Sequence, residues 1–155
     1  MRIVVQRTRA ASVEVAGETV GRIPRGLVAL VGIEQRDGLE DLRWAADKLA
    51  NLRIFEDDQG KLNRSIRELP DAAEGAAGVL LVPNFTVAGD ATKGRRPSFD
   101  RAKRPEESGP MFEQLAALVR EQGVRVETGV FRADMIVRLE NLGPVTLVLE
   151  SPVRG

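Results

Sequence analysis

The sequence predicts an α/β fold in which mixed β-sheets combine with two amphipathic helices. Short runs rich in Val, Ile and Leu alternate with Gly, Pro and Asn, as strands and turns do. Two longer segments carry apolar residues at the spacing of one helical face. A chain of 155 residues is long enough to bury a core of its own, so we expect a single domain over residues 1–155.

About eight or nine strands are expected from such runs. The run from Leu27 to Ile33 is almost wholly apolar, which is typical of a central strand covered on both faces. Val79 to Val82 is a second apolar run, and it stops at Pro83, which cannot donate a backbone hydrogen bond. In chain order the expected strands are 2–7, 12–16, 19–23, 27–33, 62–66, 79–82, 124–126, 135–140 and 145–149.

The first helix is expected to begin at Asp37, since Asp37 as N-cap and Glu40 at the third helical position resemble a capping box. It should end near Arg53. Its apolar face is expected to comprise Leu39, Leu42, Ala46, Leu49 and Leu52.

The second helix is expected to start at Ser108, with Pro110 tolerated in its first turn. Gly123 is a natural stop, because glycine favours the position after a helix end. The apolar stripe of this helix is expected to comprise Phe112, Leu115, Ala116 and Val119.

Histidine and cysteine are both absent, which restricts the chemistry open to the chain. Without them, Ser-His-Asp and Cys-His nucleophiles, disulfides, thiolate metal sites and histidine-bound zinc are excluded. The acidic run at 56–58 lacks the ligand spacing of a calcium loop, and we expect neither metal nor cofactor. A hydrolase built from this chain must rely on backbone donors, hydroxyls, carboxylates, lysines or groups of the substrate.

Charge indicates a partner only locally, because Lys plus Arg and Asp plus Glu each total 23. From Lys93 to Arg104 there are six basic residues and one acidic residue, Asp100, a cluster that suits phosphates or simple solvation. No stretch approaches a membrane span, and Met1–Val5 resembles a strand rather than a secretion signal. We therefore expect a cytoplasmic protein.

A candidate site follows the strand that stops at Pro83. The loop carries Thr86, two glycines at which the backbone can adopt unusual conformations, and the basic cluster. Phe85 and Phe99 lie towards its two ends. Loops held by rigid strands commonly carry functional groups, although an ordinary surface loop has the same composition. Thr86 could serve as a nucleophile or as a positioning hydroxyl, and no histidine is present to activate it.

The ordered motifs of the chain resemble those of the bacterial-type D-aminoacyl-tRNA deacylases. The stretch 85–99, with Phe-Thr-Val and then Lys-Gly-Arg-Arg-Pro-Ser-Phe, resembles the first motif of that family. The stretch 141–146, Asn-Leu-Gly-Pro-Val-Thr, resembles the second. Supporting matches lie at 6–7, 11–13, 53–55, 60–63 and 128–135, so the likeness spans nearly the whole chain.

This resemblance implies a layered α/β homodimer, with both helices packed on one side of the sheet, whose two motifs meet across the subunit interface. The implied reaction is hydrolysis of the ester that joins a D-amino acid, or glycine, to the terminal adenosine of tRNA. Backbone N–H groups of Phe85 and Thr86 would hold the oxyanion, and a ribose hydroxyl would orient water. A cis Gly143-Pro144 corner would enter the partner's pocket to reject L-side chains; a plain turn is the alternative.

The resemblance also assigns the binding groups. Arg7 would brace the partner's corner, Phe131 and Met135 would sandwich the adenine, and Lys93 and Arg96 would hold phosphates. Asn84 and Asn141 belong to the two motifs and complete the expected substrate-binding set. For Phe131 and Met135, a place in the core is the alternative.

One departure from the family pattern concerns the residues before Phe85. The family has Ser-Gln, whereas this chain has Pro83-Asn84, which removes a hydroxyl and a backbone donor and shortens the amide side chain. Two other functions therefore stay open: a catalytically silent tRNA- or nucleotide-binding homologue, and a hydrolase of small esters or amides.

Overall fold

The computed structural model describes residues 1–73 and 75–152 and contains eight strands and two α-helices in those ranges. Two short 3₁₀ turns lie at Ile66–Glu68 and Phe85–Ala88. The elements in order are β1 (Arg2–Val15), β2 (Glu18–Ile23), β3 (Gly26–Gly32), α1 (Leu39–Asn51), β4 (Phe55–Glu56), β5 (Leu62–Arg64), β6 (Gly78–Pro83), α2 (Pro105–Glu121), β7 (Arg125–Thr128) and β8 (Ile136–Glu150).

The main sheet is mixed, as expected. Its order is β2-β1-β3-β6-β7, and β8 pairs with β1. The pairs β3–β6 and β6–β7 are parallel, whereas β1 is antiparallel to β2, β3 and β8. β4 and β5 form a separate antiparallel hairpin.

Alternate side chains of the central strands enter two different cores, because successive residues of a strand point to opposite faces. Leu27, Ala29 and Val31 of β3 join the larger core, which also contains the buried faces of α1 and α2. Val28 of β3 and Leu80 of β6 belong to the smaller core on the other face, packed against β8. The expected central strand is thus confirmed, with both helices on one side of it.

Two pairs of expected strands are single elements in the structure. β1 continues through 8–11, because Thr8 still pairs with Gly26 of β3 and Ala11 already pairs with Ile23 of β2. β8 also continues between the expected strands 135–140 and 145–149, and residues 141–144 form a bulge within it. Its pairing with β1 passes from Asn141 opposite Thr8 to Thr146 opposite Gln6, which leaves 142–145 outside the ladder.

The expected start of α1 is wrong by one residue. Gly38 is the N-cap, and its N–H donates to Asp41 Oδ2 at 3.0 Å. Asp37 is instead buried, where it accepts hydrogen bonds from the Met1 ammonium and the Glu34 N–H. Leu39, expected on the apolar face, is exposed, because the buried face comprises Leu42, Ala45, Ala46, Leu49 and Ala50.

The expected start of α2 is also wrong. The helix begins at Pro105, a residue favoured at the first helical position, so Pro110 lies within the helix rather than in its first turn. The expected apolar stripe is confirmed, and the helix stops before Gly123, which has φ +79°. None of the helices in the described ranges is long and apolar enough to cross a membrane.

Candidate functional site

A cleft of about 720 Å³ opens where the parallel strands end, and its wall includes Val31 of β3 and Val82 of β6. Ligand sites in sheets of this kind commonly lie outside the carboxyl ends of the strands. The start of α2 and the turn between β7 and β8 close the other side. The cleft is lined by Val31, Ile33, Val82, Pro83, Asn84, Phe85, Phe99, Ala102, Lys103, Arg104, Pro105, Ser108, Phe112, Phe131, Arg132, Ala133, Met135 and Val137.

The corner after β6 is tied down by Asn84. Its N–H donates to the Val31 carbonyl at 2.9 Å, and its Oδ1 accepts from the Thr86 N–H at 3.2 Å and from the Thr86 hydroxyl. The Thr86 N–H, expected to be free for an oxyanion, is therefore occupied, and Thr86 is not among the cleft-lining residues. Within the described ranges, the Phe85 N–H has no hydrogen-bond partner.

The same contacts orient the Asn84 amide. Because the Asn84 Oδ1 accepts two hydrogen bonds from Thr86, the N–H groups of its Nδ2 remain available to donate. The part of the chain that the structure describes offers this Nδ2 no acceptor, and Asn84 lines the cleft. The corner therefore presents two available donors, the Phe85 N–H and the Asn84 Nδ2.

Aromatic and thioether side chains border the cleft. The rings of Phe85 and Phe99 meet edge to face at 5.2 Å, and Phe85 is 59% exposed. Phe131 and Met135 both line the cleft while also packing partly against the two cores. A Cβ on Gly129 would lie 2.7 Å from the Met135 sulfur, so glycine at this position makes room for the thioether.

The cationic residues at the cleft differ from those expected. Lys93 and Arg96 are exposed on the loop and do not line the cleft. Lys103, Arg104 and Arg132 line it instead. Lys103 is already engaged, since its Nζ donates to the Gln35 carbonyl at 2.9 Å and lies 3.7 Å from Glu107. Among the ion pairs of the described residues, none includes Lys93, Arg96, Arg104 or Arg132.

Sequence reasoning missed Ser108 and Arg132 as cleft residues. Ser108, expected at the start of the helix, lies one turn inside α2 and is 8% exposed. Among the side-chain hydrogen bonds of the described ranges, none involves the Ser108 hydroxyl. Arg132 adopts φ +63°, a left-handed conformation that non-glycine residues rarely take. Arg132 could have been noticed from its place between Phe131 and Met135; nothing local distinguishes Ser108.

Arg7 lies against the 141–144 corner of its own chain. It is buried and holds this chain's own corner: its Nε donates to the Leu142 carbonyl at 3.1 Å and its Nη1 to the Ile54 carbonyl at 2.9 Å. These contacts fix Arg7 within its own chain, and its expected role at a partner's corner stays a prediction. The Arg7 Nη2 also forms an ion pair with Glu56 Oε1 at 3.5 Å.

The 141–144 corner lies apart from the cleft within one chain. The Gly143-Pro144 bond is cis, as the resemblance implied. Asn141 closes the bulge, with its Oδ1 accepting from the Val145 N–H at 3.2 Å and its Nδ2 donating to the Thr146 hydroxyl at 2.8 Å. The cleft lining includes Asn84, Phe85, Phe131 and Met135 but not Arg7, Thr86, Lys93, Arg96, Asn141, Gly143 or Pro144.

Comparison with protein families gives a match over residues 4–150, to the family described as D-Tyr-tRNA(Tyr) deacylase. The chain belongs to this family. A D-aminoacyl-tRNA deacylase of Brevibacillus brevis is 52% identical, covering 97% of this chain and 100% of the relative. One from Geobacter sulfurreducens is 49% identical, covering 100% of this chain and 98% of the relative.

Solved structures agree on the fold. One described as c-Myc DNA Unwinding Element Binding Protein superposes with a TM-score of 0.87 at 35% identity, covering 99% of this chain and 100% of that one. A probable eukaryotic D-amino acid tRNA deacylase superposes with a TM-score of 0.78 at 22% identity, covering 96% of this chain and 97% of that one. The expected deacylase-like α/β fold is therefore confirmed, and the chain is an enzyme of the D-aminoacyl-tRNA deacylase class. The described residues contain no group of three or more acidic side chains placed to hold a metal.

Proposed function

We propose that the protein hydrolyses the ester between a D-amino acid, or glycine, and the terminal adenosine of tRNA, for translation quality control in the cytoplasm. The observation that carries this proposal is the pair of free donors on Asn84 and Phe85, two residues that line a cleft bordered by Phe131 and Met135. Family membership supports the class of substrate.

Hydrolysis of an activated ester requires chiefly a stabilised oxyanion and a placed water. The water oxygen bonds to the ester carbonyl carbon and releases a proton, while the negative charge moves to the carbonyl oxygen. The bond to the ribose oxygen then breaks as the carbonyl re-forms, and that ribose oxygen takes the proton that the water released. The Phe85 N–H and the Asn84 Nδ2 would hold the oxyanion; one such donor is worth roughly 10²–10³ in kcat in other enzymes.

The neighbouring ribose hydroxyl would orient the attacking water, since the chain has no histidine to act as a base. Thr86 then has a positioning role. Its hydroxyl donates to Asn84 Oδ1 and so keeps the Asn84 Nδ2 turned outward.

The terminal adenine would lie between Phe131 and Met135, in keeping with the way proteins stack single-stranded bases on aromatic side chains. Lys93 and Arg96, exposed on the loop, would contact phosphates of the acceptor end without reading sequence. These two contacts would give affinity for tRNA in general.

The functional unit would be a homodimer. In one chain the cleft has no contribution from Gly143 or Pro144, so a second copy would supply the corner that rejects L-side chains. Exposed apolar side chains on β8 support this: Ile136 is 53% exposed and Val148 55%. Such side chains on an edge strand mark an interaction surface.

The test is an assay with catalytic amounts of protein on D-aminoacyl-tRNA, glycyl-tRNA, L-aminoacyl-tRNA and a simple amino-acid ester. We expect turnover of the first two alone, and slower turnover of D-aminoacyl-tRNA that ends in 2′-deoxyadenosine. Binding of tRNA without turnover would overturn the proposal in favour of a silent homologue. Hydrolysis of the simple ester at a similar rate would favour a small-molecule hydrolase, and an unchanged rate on the 2′-deoxy substrate would contradict ribose assistance.

A further inference from the structure

We propose that Arg104 and Arg132 together hold the phosphate on the 5′ side of the terminal adenosine, at the mouth of the cleft. The inference rests on the proposed function and names a contact within the same site. Both arginines line the cleft, one immediately before α2 and the other in the turn between β7 and β8.

The two segments that carry these arginines touch each other. A Cβ on Gly109 of α2 would lie 3.2 Å from Cε1 of Phe131, so a glycine there lets the turn sit directly against the helix. Arg104 and Arg132 therefore border one opening from two sides. A phosphate entering between them would meet a guanidinium from each side.

Both guanidinium groups are available. Seven other arginines of the described residues form ion pairs: Arg2, Arg7, Arg36, Arg43, Arg64, Arg125 and Arg138. Arg104 and Arg132 form none in those ranges, and the third cation of the cleft, Lys103, is engaged by the Gln35 carbonyl. Two unpaired cations at one cleft suit an anionic group of the ligand.

Two further observations point to a ligand at this opening. Arg132 has φ +63°, and unfavourable backbone conformations of this kind cluster at ligand sites. Ser108, one turn into α2, is more than nine-tenths buried yet lines the cleft with an unpartnered hydroxyl. The only fully shielded side-chain nitrogen or oxygen without a partner in the described ranges is Arg25 Nε, so the Ser108 oxygen still reaches open space.

The chemistry favours a phosphate, because the planar guanidinium fork matches its oxygens and forms charge-assisted hydrogen bonds. Its position follows from the chain: Arg132 directly succeeds Phe131, which is proposed to stack on the adenine. The phosphate of that same nucleotide is then the anion nearest to Arg132. The contact would give the enzyme affinity for a nucleotide rather than a nucleoside, independent of base sequence.

The test compares the binding of 5′-AMP, 3′-AMP and adenosine by NMR titration of the full chain. For wild type we expect 5′-AMP to bind about tenfold more tightly than adenosine, in line with a hydrogen-bonded charged pair. 3′-AMP, with its charge at the wrong end, should show no such advantage. In Arg132→Ala and Arg104→Ala the advantage of 5′-AMP should fall several-fold while adenosine binds as before.

Arg43→Ala is the matched control, because Arg43 is exposed on α1, forms an ion pair with Glu40 and is not among the residues that line the cleft. Equal binding of 5′-AMP and adenosine to wild type, an unchanged preference in either variant, an equal loss for both ligands, or no binding of either would overturn the inference. Hydrolysis of D-aminoacyl-tRNA is measured separately, so a failure of the proposed function appears as absent turnover rather than as a lost phosphate preference.

Discussion

At Asn84 one side chain determines which donors are left for the substrate. Its oxygen takes both the N–H and the hydroxyl of Thr86, so its amide nitrogen and the Phe85 N–H remain. The asparagine side chain has the reach to cap the short turn Phe85–Ala88 from the N-terminus of that turn.

Asn84→Asp tests this arrangement, because it keeps the oxygen that accepts from Thr86 and replaces the donor nitrogen with a second oxygen. We expect kcat on D-aminoacyl-tRNA to fall by roughly 10²-fold or more, since an anion would then face the developing oxyanion. The melting temperature should stay close to that of wild type. Steady-state kinetics and thermal denaturation measure the two effects.

The control is Gln114→Glu, the same amide-to-acid change at an exposed position of α2 outside the cleft. It should leave kcat unchanged. If Asn84→Asp is as active as wild type, the Asn84 amide is not an oxyanion donor.

Among the elements, the β4–β5 hairpin shows how a carboxylate can hold a turn. Asp57 Oδ1 accepts from the Gln59 N–H at 2.9 Å and from the Lys61 N–H at 3.0 Å. Backbone hydrogen bonding to Lys61, and then to Gln59, lowers the pKa of Asp57 below its ordinary 3.8. The Asp57 carboxylate thus holds the turn that joins β4 to β5.

The lowered pKa of Asp57 predicts a pH dependence with a definite sign. The ionised group stabilises the folded state fully above the unfolded pKa of 3.8, and that stabilisation is lost as pH falls through the folded pKa. Asp57→Asn, which cannot ionise, should therefore be less stable than wild type at neutral pH and approach it in acid. Urea unfolding from about pH 7 to about pH 2 measures the difference, and a gap that stays constant across this range would refute the assignment.

Elements whose pattern is local were predictable, and those that depend on pairing were not. The apolar runs of β3 and β6 indicated buried strands because burial on both faces requires such runs. The continuity of β1 through 8–11 had no such indication, because it depends on pairing with other strands: Thr8 pairs with Gly26 of β3 and Ala11 with Ile23 of β2. Arg7 is covered by the Leu142 and Ile54 carbonyls, which lie far from it in sequence.

At the scale of the whole molecule, one chain has the cleft and the 141–144 corner in separate places. Exposed apolar side chains on the outer strand β8, namely Ile136, Leu142, Leu147 and Val148, provide a surface on which a second copy would bury apolar area. The proposed homodimer would bring the partner's corner to the cleft. A substitution that prevents dimerisation through β8 should then also abolish activity.

Val148→Asp tests this link, since Val148 is exposed in the single chain and the substitution should not disturb the core. We expect a monomer by light scattering and a large loss of turnover, because an aspartate would be buried without a partner in the dimer. Leu39→Asp, which changes an exposed leucine at the start of α1, is the control and should keep both dimer and activity. A monomeric Val148→Asp variant with full activity would contradict the shared site.

By itself, the sequence determined the mixed α/β class, the two helices and the family, because these follow from apolar periodicity and from ordered motifs read along the chain. It also excluded histidine and cysteine chemistry. Only the tertiary structure decided which cations reach the cleft, which donors of the Asn84–Thr86 corner are free, and that Arg7 holds its own chain's corner. Those properties depend on which distant segments meet, and a one-dimensional pattern does not specify contacts between residues far apart in sequence.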